Sequence, residues 1–187
     1  MTQFTVKDLM VPLSEYATVP EGSTLFEAVM ALERAQEEFD HTKYRHRGIL
    51  VLNKENQVVG KISQVDVLRV LEPKDESLEG VKELMDFSFS GKFVRNVYKQ
   101  RRLQGASFKD LCTGALRHKV EDCMQTFLEG EYIDQDARLD TAIHHLILEN
   151  LFSLLVTDNK KEIIGILRLS DVFAAVFHTM KECEATL

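Results

Sequence analysis

The chain has 187 residues, 44% hydrophobic and 28% charged, with a net charge of −7 and no tryptophan. This composition is that of a soluble globular protein and argues against a disordered or fibrous chain and against nonspecific nucleic-acid binding. Cys112, Cys123 and Cys183 show no CxxC spacing, which points to reduced thiols and away from a disulfide frame or a zinc site.

The first ten residues, "MTQFTVKDLM", lack a basic start followed by an apolar core, so no signal peptide is visible. "VKDLM" reads as a short entry segment. Ser23 or Thr24 supplies a helix-start signal before "LFEAVMAL", where Leu25, Ala28, Val29 and Leu32 form an apolar stripe. The polar stretch "ERAQEEFDHTKYRH" reads as an extended helix end or a loop. "GILVLN" and "QVVGKIS" read as strands joined by the turn "NKEN", and "VDVLRVL" as a second helix starting near Asp66.

From about Glu72 to Lys119, "SLEGVKELM", "GKFVRNVYKQRRL" and "FKDLCTGAL" read as helices and "LQGAS" as a turn. This insertion is too long for a plain loop. Over its second part, from Lys92 to Lys119, eight basic residues (Lys92, Arg95, Lys99, Arg101, Arg102, Lys109, Arg117 and Lys119) stand against a single acid, Asp110. Such a basic segment is either a solvated helix face or a surface that docks on acidic protein, a second copy included.

The opening pattern then returns. "VKDLM" at 6 reappears as "VEDCM" at 120, and "VPEGSTLFEAVMAL" at 19 as "IDQDARLDTAIHHL" at 133, both shifted by 114. "RGILVLNKENQVVGKIS" at 47 matches "FSLLVTDNKKEIIGILR" at 152, shifted by 105, so the first copy carries nine extra residues in between. In the second copy Asp136 stands as the helix-start signal, Leu139, Ala142, Ile143 and Leu146 as the stripe, "TDNK" as the turn, and "SDVFAAVFHTM" as the last helix. The most apolar run, Leu146 to Val156, is broken by Glu149 and Asn150 and is too short to span a bilayer. The expected fold is α/β (α+β): two β-α-β-β-α repeats packed with pseudo-twofold symmetry, residues 1–72 and 119–187, with a helical insertion at 73–118.

"VKDLMVP", "TVPEGSTLFEAVMAL" and "GILVLN…VVGKISQVDVL" resemble a cystathionine-beta-synthase (CBS) domain, and "VEDCM…GILRLSDVF" resembles another. Together they resemble the tandem pair called a Bateman module, over about residues 5–72 and 119–181. The resemblance implies a dimeric regulatory protein, with no catalytic residues, that binds adenine nucleotides in clefts between the repeats. Each cleft would join one repeat's Gly…Asp motif to the other's entry segment and middle strand. Cleft A would comprise Leu13, Ala17, Val19, His46, Arg47 and Gly48 with Arg168, Ser170 and Asp171. In it, Asp171 would hold ribose, Val19 and its neighbours adenine, and Arg47 and Arg168 phosphate. Cleft B would comprise Ser63, Val65 and Asp66 with Phe127, Tyr132, Ile133, Leu151 and Phe152.

Glycine allows close approach to a ligand, a helix start can hold phosphate, and a carboxylate one turn on can accept from both ribose hydroxyls. Arg168 departs from the family's Ser or Thr, which Ser63 keeps; an arginine there either binds phosphate or plugs the cleft. Leu151 and Phe152 stand where cleft A has His46 and Arg47, so cleft A is expected to suit a phosphorylated ligand better.

Plainer readings stand beside these. Asp66 and Asp171 also read as helix caps, although the family pattern favours ligand binding for them, and Lys43 and Arg45 read as a solvated loop. His144 and His145, adjacent on a helix, do not face one metal site. No serine or cysteine has a motif partner that would activate it. The sequence thus points to a cytoplasmic homodimer that binds AMP, ADP or ATP as a regulatory ligand and signals to an unidentified protein partner. It would have no cofactor, no bound metal, and no nucleic-acid or membrane partner. The alternative is an adaptor dimer with empty clefts that acts through protein contacts.

Overall fold

The computed structural model describes residues 4–38, 45–72 and 107–184. In chain order these form α1 (Val6–Leu9), β1 (Val11–Pro12), β2 (Thr18–Pro20), α2 (Leu25–Glu38), β3 (Gly48–Leu52), β4 (Val58–Ser63) and α3 (Gln64–Leu71). There follow α4 (Phe108–Ala115), α5 (Val120–Cys123), β5 (Tyr132–Asp134), α6 (Leu139–Leu148), β6 (Ser153–Thr157), β7 (Ile163–Arg168) and α7 (Leu169–Glu184). The fold is mixed α+β, with two β-α-β-β-α repeats.

Each repeat builds one small sheet, ordered β2-β3-β4 in the first and β1-β7-β6-β5 in the second. In both, a parallel pair adjoins an antiparallel hairpin. The middle strands are apolar at their centres, Ile49–Val51 and Leu154–Val156, where both faces are covered. Successive side chains point to opposite faces. Ile49 and Val51 therefore enter the core beneath α2, while Leu50 enters a second cluster with Val11, Tyr16, Leu155 and Ile166. Leu154 and Val156 likewise enter the second repeat's own core, and Leu155 the shared cluster. That shared cluster is the seam between the repeats.

The entry segments cross over. Val6 of α1 is buried in the core of the second repeat, and Val120 of α5 in the core of the first. β1 adds to the second sheet through Val11↔Ile166, and Gln125 meets Lys61 at the equivalent place in the first. The bridges Thr5↔Arg138 and Thr24↔Lys119 are a second such pair. The pseudo-twofold symmetry thus extends to individual backbone pairings.

Thr24 caps α2: its Oγ1 accepts from the Glu27 amide at 3.2 Å, and Glu27 accepts from the Thr24 amide at 2.7 Å. Asp136 does not play this part in the second repeat. α6 starts at Leu139, after an Arg138 that makes no side-chain cap, and the Asp136 amide instead donates to Asp134 Oδ1 in a local turn. The turn chemistry of Asp134 outweighs the capping propensity of Asp136. "FKDLCTGAL" forms α4, capped by Ser107. The expected helices at "SLEGVKELM" and "GKFVRNVYKQRRL", most of the turn "LQGAS", and Lys43 lie outside the described residues. Among the described residues no helix is long and apolar enough to cross a membrane.

Candidate functional site

The two strand-to-helix exits, β4 into α3 and β7 into α7, carry Asp66 and Asp171 at equivalent steps. Their surroundings differ in nearly every polar atom.

At the first exit, Ser63 and Asp66 form a capping box. The Asp66 amide donates to Ser63 Oγ at 3.3 Å, and Asp66 Oδ2 accepts from the Ser63 amide at 2.8 Å and its hydroxyl at 2.5 Å. Asp66 Oδ1 accepts from Arg69 at 2.7 Å and, across the seam, from Gln125 Nε2 at 2.6 Å. Burial raises the pKa of Asp66, but the Ser63 and Gln125 hydrogen bonds and the Arg69 charge outweigh it and hold the carboxyl below its ordinary range.

Around this carboxylate, Lys61 of β4 reaches across the seam to pair with Glu131 and lies 5.6 Å from the centroid of the Phe127 ring. Phe127 meets Tyr132 edge-on, with centroids 6.1 Å apart. Leu151 is half-buried, and Phe152 and Val65 are exposed. A cavity of about 420 Å³ beside Tyr132 and Ile133 extends along β5 to Thr157, Lys161 and Ile163, with no carboxylate of either exit in its wall.

At the second exit, Arg168 replaces the capping serine and clasps Asp171 with two donors. Nε meets Oδ2 at 2.5 Å and Nη2 meets Oδ1 at 2.6 Å. Its third nitrogen lies 3.3 Å from His46 Nδ1, across the seam. Arg168 is only 5% exposed and His46 fully buried. The Tyr16 ring packs against His46 at 4.6 Å, tilted by 75°. Burial, reinforced by the Arg168 charge, lowers the His46 pKa to about 4, against the opposing pull of Asp171 and the Glu15 carbonyl. Burial pushes the Tyr16 hydroxyl up to about 12.

The structure therefore brings His46, Arg168 and Asp171 into contact, and at the other exit Ser63 with Asp66 and Phe127 with Tyr132. Arg47 is exposed at the start of β3, next to Gly48, and Ser170 is half-buried in the first turn of α7. Ala17 and Val19 are core residues of the first repeat, Ile133 is one of the second, and Leu13 packs on the seam. What Val19 and Ile133 have left to offer a ligand is main chain.

Sequence reasoning missed Tyr16, Lys61, Arg69, Gln125 and Glu131. A signal for the last four was present in the repeat alignment. Lys61 aligns with Ile166 and Glu131 with Ala17, so one cleft gains two opposite charges where the other keeps two apolar residues. Gln125 aligns with Val11, and Arg69 with Ala174. Cleft B is thus the more polar of the two, although only cleft A has basic residues at its strand entrance.

The CBS domain family model matches residues 6–73 and 120–178. The chain belongs to the CBS domain family and holds two copies of the domain. Among solved structures it is similar to CBSX2 from Arabidopsis thaliana, at 20% identity over 96% of this chain and 99% of that one, with a TM-score of 0.59. CBSX2 in complex with AMP matches at 18% identity over 95% of this chain and 98% of that one, TM-score 0.56. The cytosolic domain of the Mg2+ channel MgtE in complex with ATP matches at 18% identity, TM-score 0.52, over 89% of this chain and 46% of that one. Among curated protein sequences none matches.

Proposed function

We propose that this CBS pair is a cytoplasmic, homodimeric regulatory module that binds AMP, ADP or ATP between its repeats and relays occupancy to a protein partner. The observation that carries this reading is the convergence of both repeats on each strand-to-helix carboxylate. Gln125 reaches Asp66 from the opposite repeat, and His46 reaches the Arg168–Asp171 pair in the same way. A ligand gripped by both halves favours the arrangement that fits it, so occupancy becomes a change of angle between repeats. The nucleotides bound to two structural relatives support the ligand class.

A dimer is supported by the outer face of α7, where Leu169, Phe173, Phe177 and Met180 are all exposed, as are Val65 and Leu68 on α3. No catalytic role is proposed for any residue.

Titration calorimetry and thermal melting with AMP, ADP, ATP and S-adenosylmethionine test the reading. Heat and a raised melting temperature with at least one nucleotide are expected. Silence with all four would favour the adaptor dimer, a reading supported by the full hydrogen-bonding of Asp171. The absorbance ratio of the purified protein is a quicker check, because with no Trp and four Tyr a bound adenine dominates it.

A further inference from the structure

The two clefts inherit one design and satisfy their carboxylates in opposite ways. Asp171 has both oxygens held by Arg168 of its own repeat, and that arginine's remaining terminal nitrogen is turned to His46. Asp66 gives one oxygen to the capping box and the other to Arg69 and Gln125. The Arg69 side chain is 64% exposed, so water can take its place at little cost. The clasp at Asp171 is buried and bidentate, so no such exchange is open to it.

The repeat alignment explains why the clasp exists. The residues equivalent to Gln125 and Arg69 are Val11 and Ala174, and neither has a side-chain donor. Without Arg168, neither of these equivalent positions would give a donor to the Asp171 oxygen corresponding to Asp66 Oδ1.

Building on the nucleotide-binding reading, we infer that Arg168 closes cleft A, so that cleft B alone takes the nucleotide. Cleft B supplies what a nucleotide needs: an exchangeable carboxylate oxygen for the ribose diol, the exposed Arg69 for phosphate, and the Phe127 and Tyr132 rings for the base. Arg168 is thus the residue that sets which cleft is used. Replacing it with the serine found at position 63 frees one Asp171 oxygen and opens the second cleft.

The test is calorimetric stoichiometry with AMP, ADP and ATP on wild type and Arg168→Ser. The expected result is one more site per chain in Arg168→Ser than in wild type. An unchanged or reduced count overturns the inference, and a reduced count would show that Arg168 itself grips phosphate.

A second pair does not depend on how that variant folds. In the otherwise wild-type chain, Asp66→Asn is expected to weaken nucleotide binding by at least about tenfold, the worth of one charged hydrogen bond, and Asp171→Asn by less than about twofold. The reverse pattern overturns the inference while leaving the nucleotide-binding reading intact. Absence of binding by both wild type and Arg168→Ser would overturn both.

Discussion

Arg168 and Asp171, three residues apart across the strand-to-helix junction, share two hydrogen bonds of 2.5 and 2.6 Å at the point where the equivalent serine and aspartate form an ordinary capping box. A buried guanidinium is expensive to leave without its carboxylate. Asp171→Ala is therefore expected to destabilise the fold by about 3–5 kcal/mol. The double variant Asp171→Ala, Arg168→Ser removes both charges and should recover most of that loss. Urea midpoints of wild type, both single variants and the double variant measure the coupling. Additive losses would show that the pair is not a unit.

Lys61 and Glu131 pose the same question at the other exit, with a control that the protein itself supplies. Their side chains are 20% and 8% exposed, and the aligned residues are Ile166 and Ala17. Glu131→Ala strands a mostly buried ammonium and should cost about 2 kcal/mol, less than a fully buried charge because some water still reaches it. Lys61→Ile with Glu131→Ala copies the apolar solution of the second exit and should return to within about 1 kcal/mol of wild type. If the pair instead contributes to nucleotide binding, the double variant keeps its stability and loses affinity.

How much of this was legible in the chain differs between backbone and side chains. The doubled β-α-β-β-α order was readable because apolar periodicity is local to each segment and the same pattern returns at shifts of 114 and 105 residues. The crossing of α1 and α5 into opposite cores was not, because Val6 and Val120 look alike whichever core they enter. Asp136 does not cap because the Asp134 turn engages its amide and the helix starts only at Leu139. Lys61 lay inside a quoted motif, yet its partner Glu131 is 70 residues away and only the seam brings them together. The site residues that remained hidden, Gln125 and Glu131 above all, act across the repeats.

Gly60 and Gly165 occupy equivalent steps of β4 and β7 but face different obstacles. A Cβ at Gly60 would lie 2.5 Å from Met124 Sδ and 3.0 Å from its Cγ, and a methionine side chain can turn away. A Cβ at Gly165 would lie 2.6 Å from the Val11 carbonyl oxygen, which is fixed by the β1–β7 pairing. Gly165→Ala is expected to cost about 2–3 kcal/mol by forcing those strands apart, and Gly60→Ala about 1 kcal/mol. Thermal melts rank the two; equal losses would mean that β1 yields as readily as a side chain.

His46 makes the seam sensitive to acid. Its pKa falls from an ordinary 6.5 to about 4 because burial and the Arg168 charge disfavour the imidazolium. The folded state thus resists a proton that the unfolded chain accepts. The stabilisation from a neutral His46 is complete above pH 6.5 and is lost as pH falls from there toward 4, at no more than about 1.4 kcal/mol per pH unit. Tyr16, packed against the same ring, sets the opposite limit. Its pKa, raised to about 12, makes stability decline as pH climbs from 10 toward 12. His46→Leu installs the residue found at the equivalent Leu151 and should flatten the acid slope without changing the alkaline one. Urea midpoints of both proteins at pH 5, 7 and 10.5 would show it. An acid slope that survives the substitution would move its origin to the carboxylates.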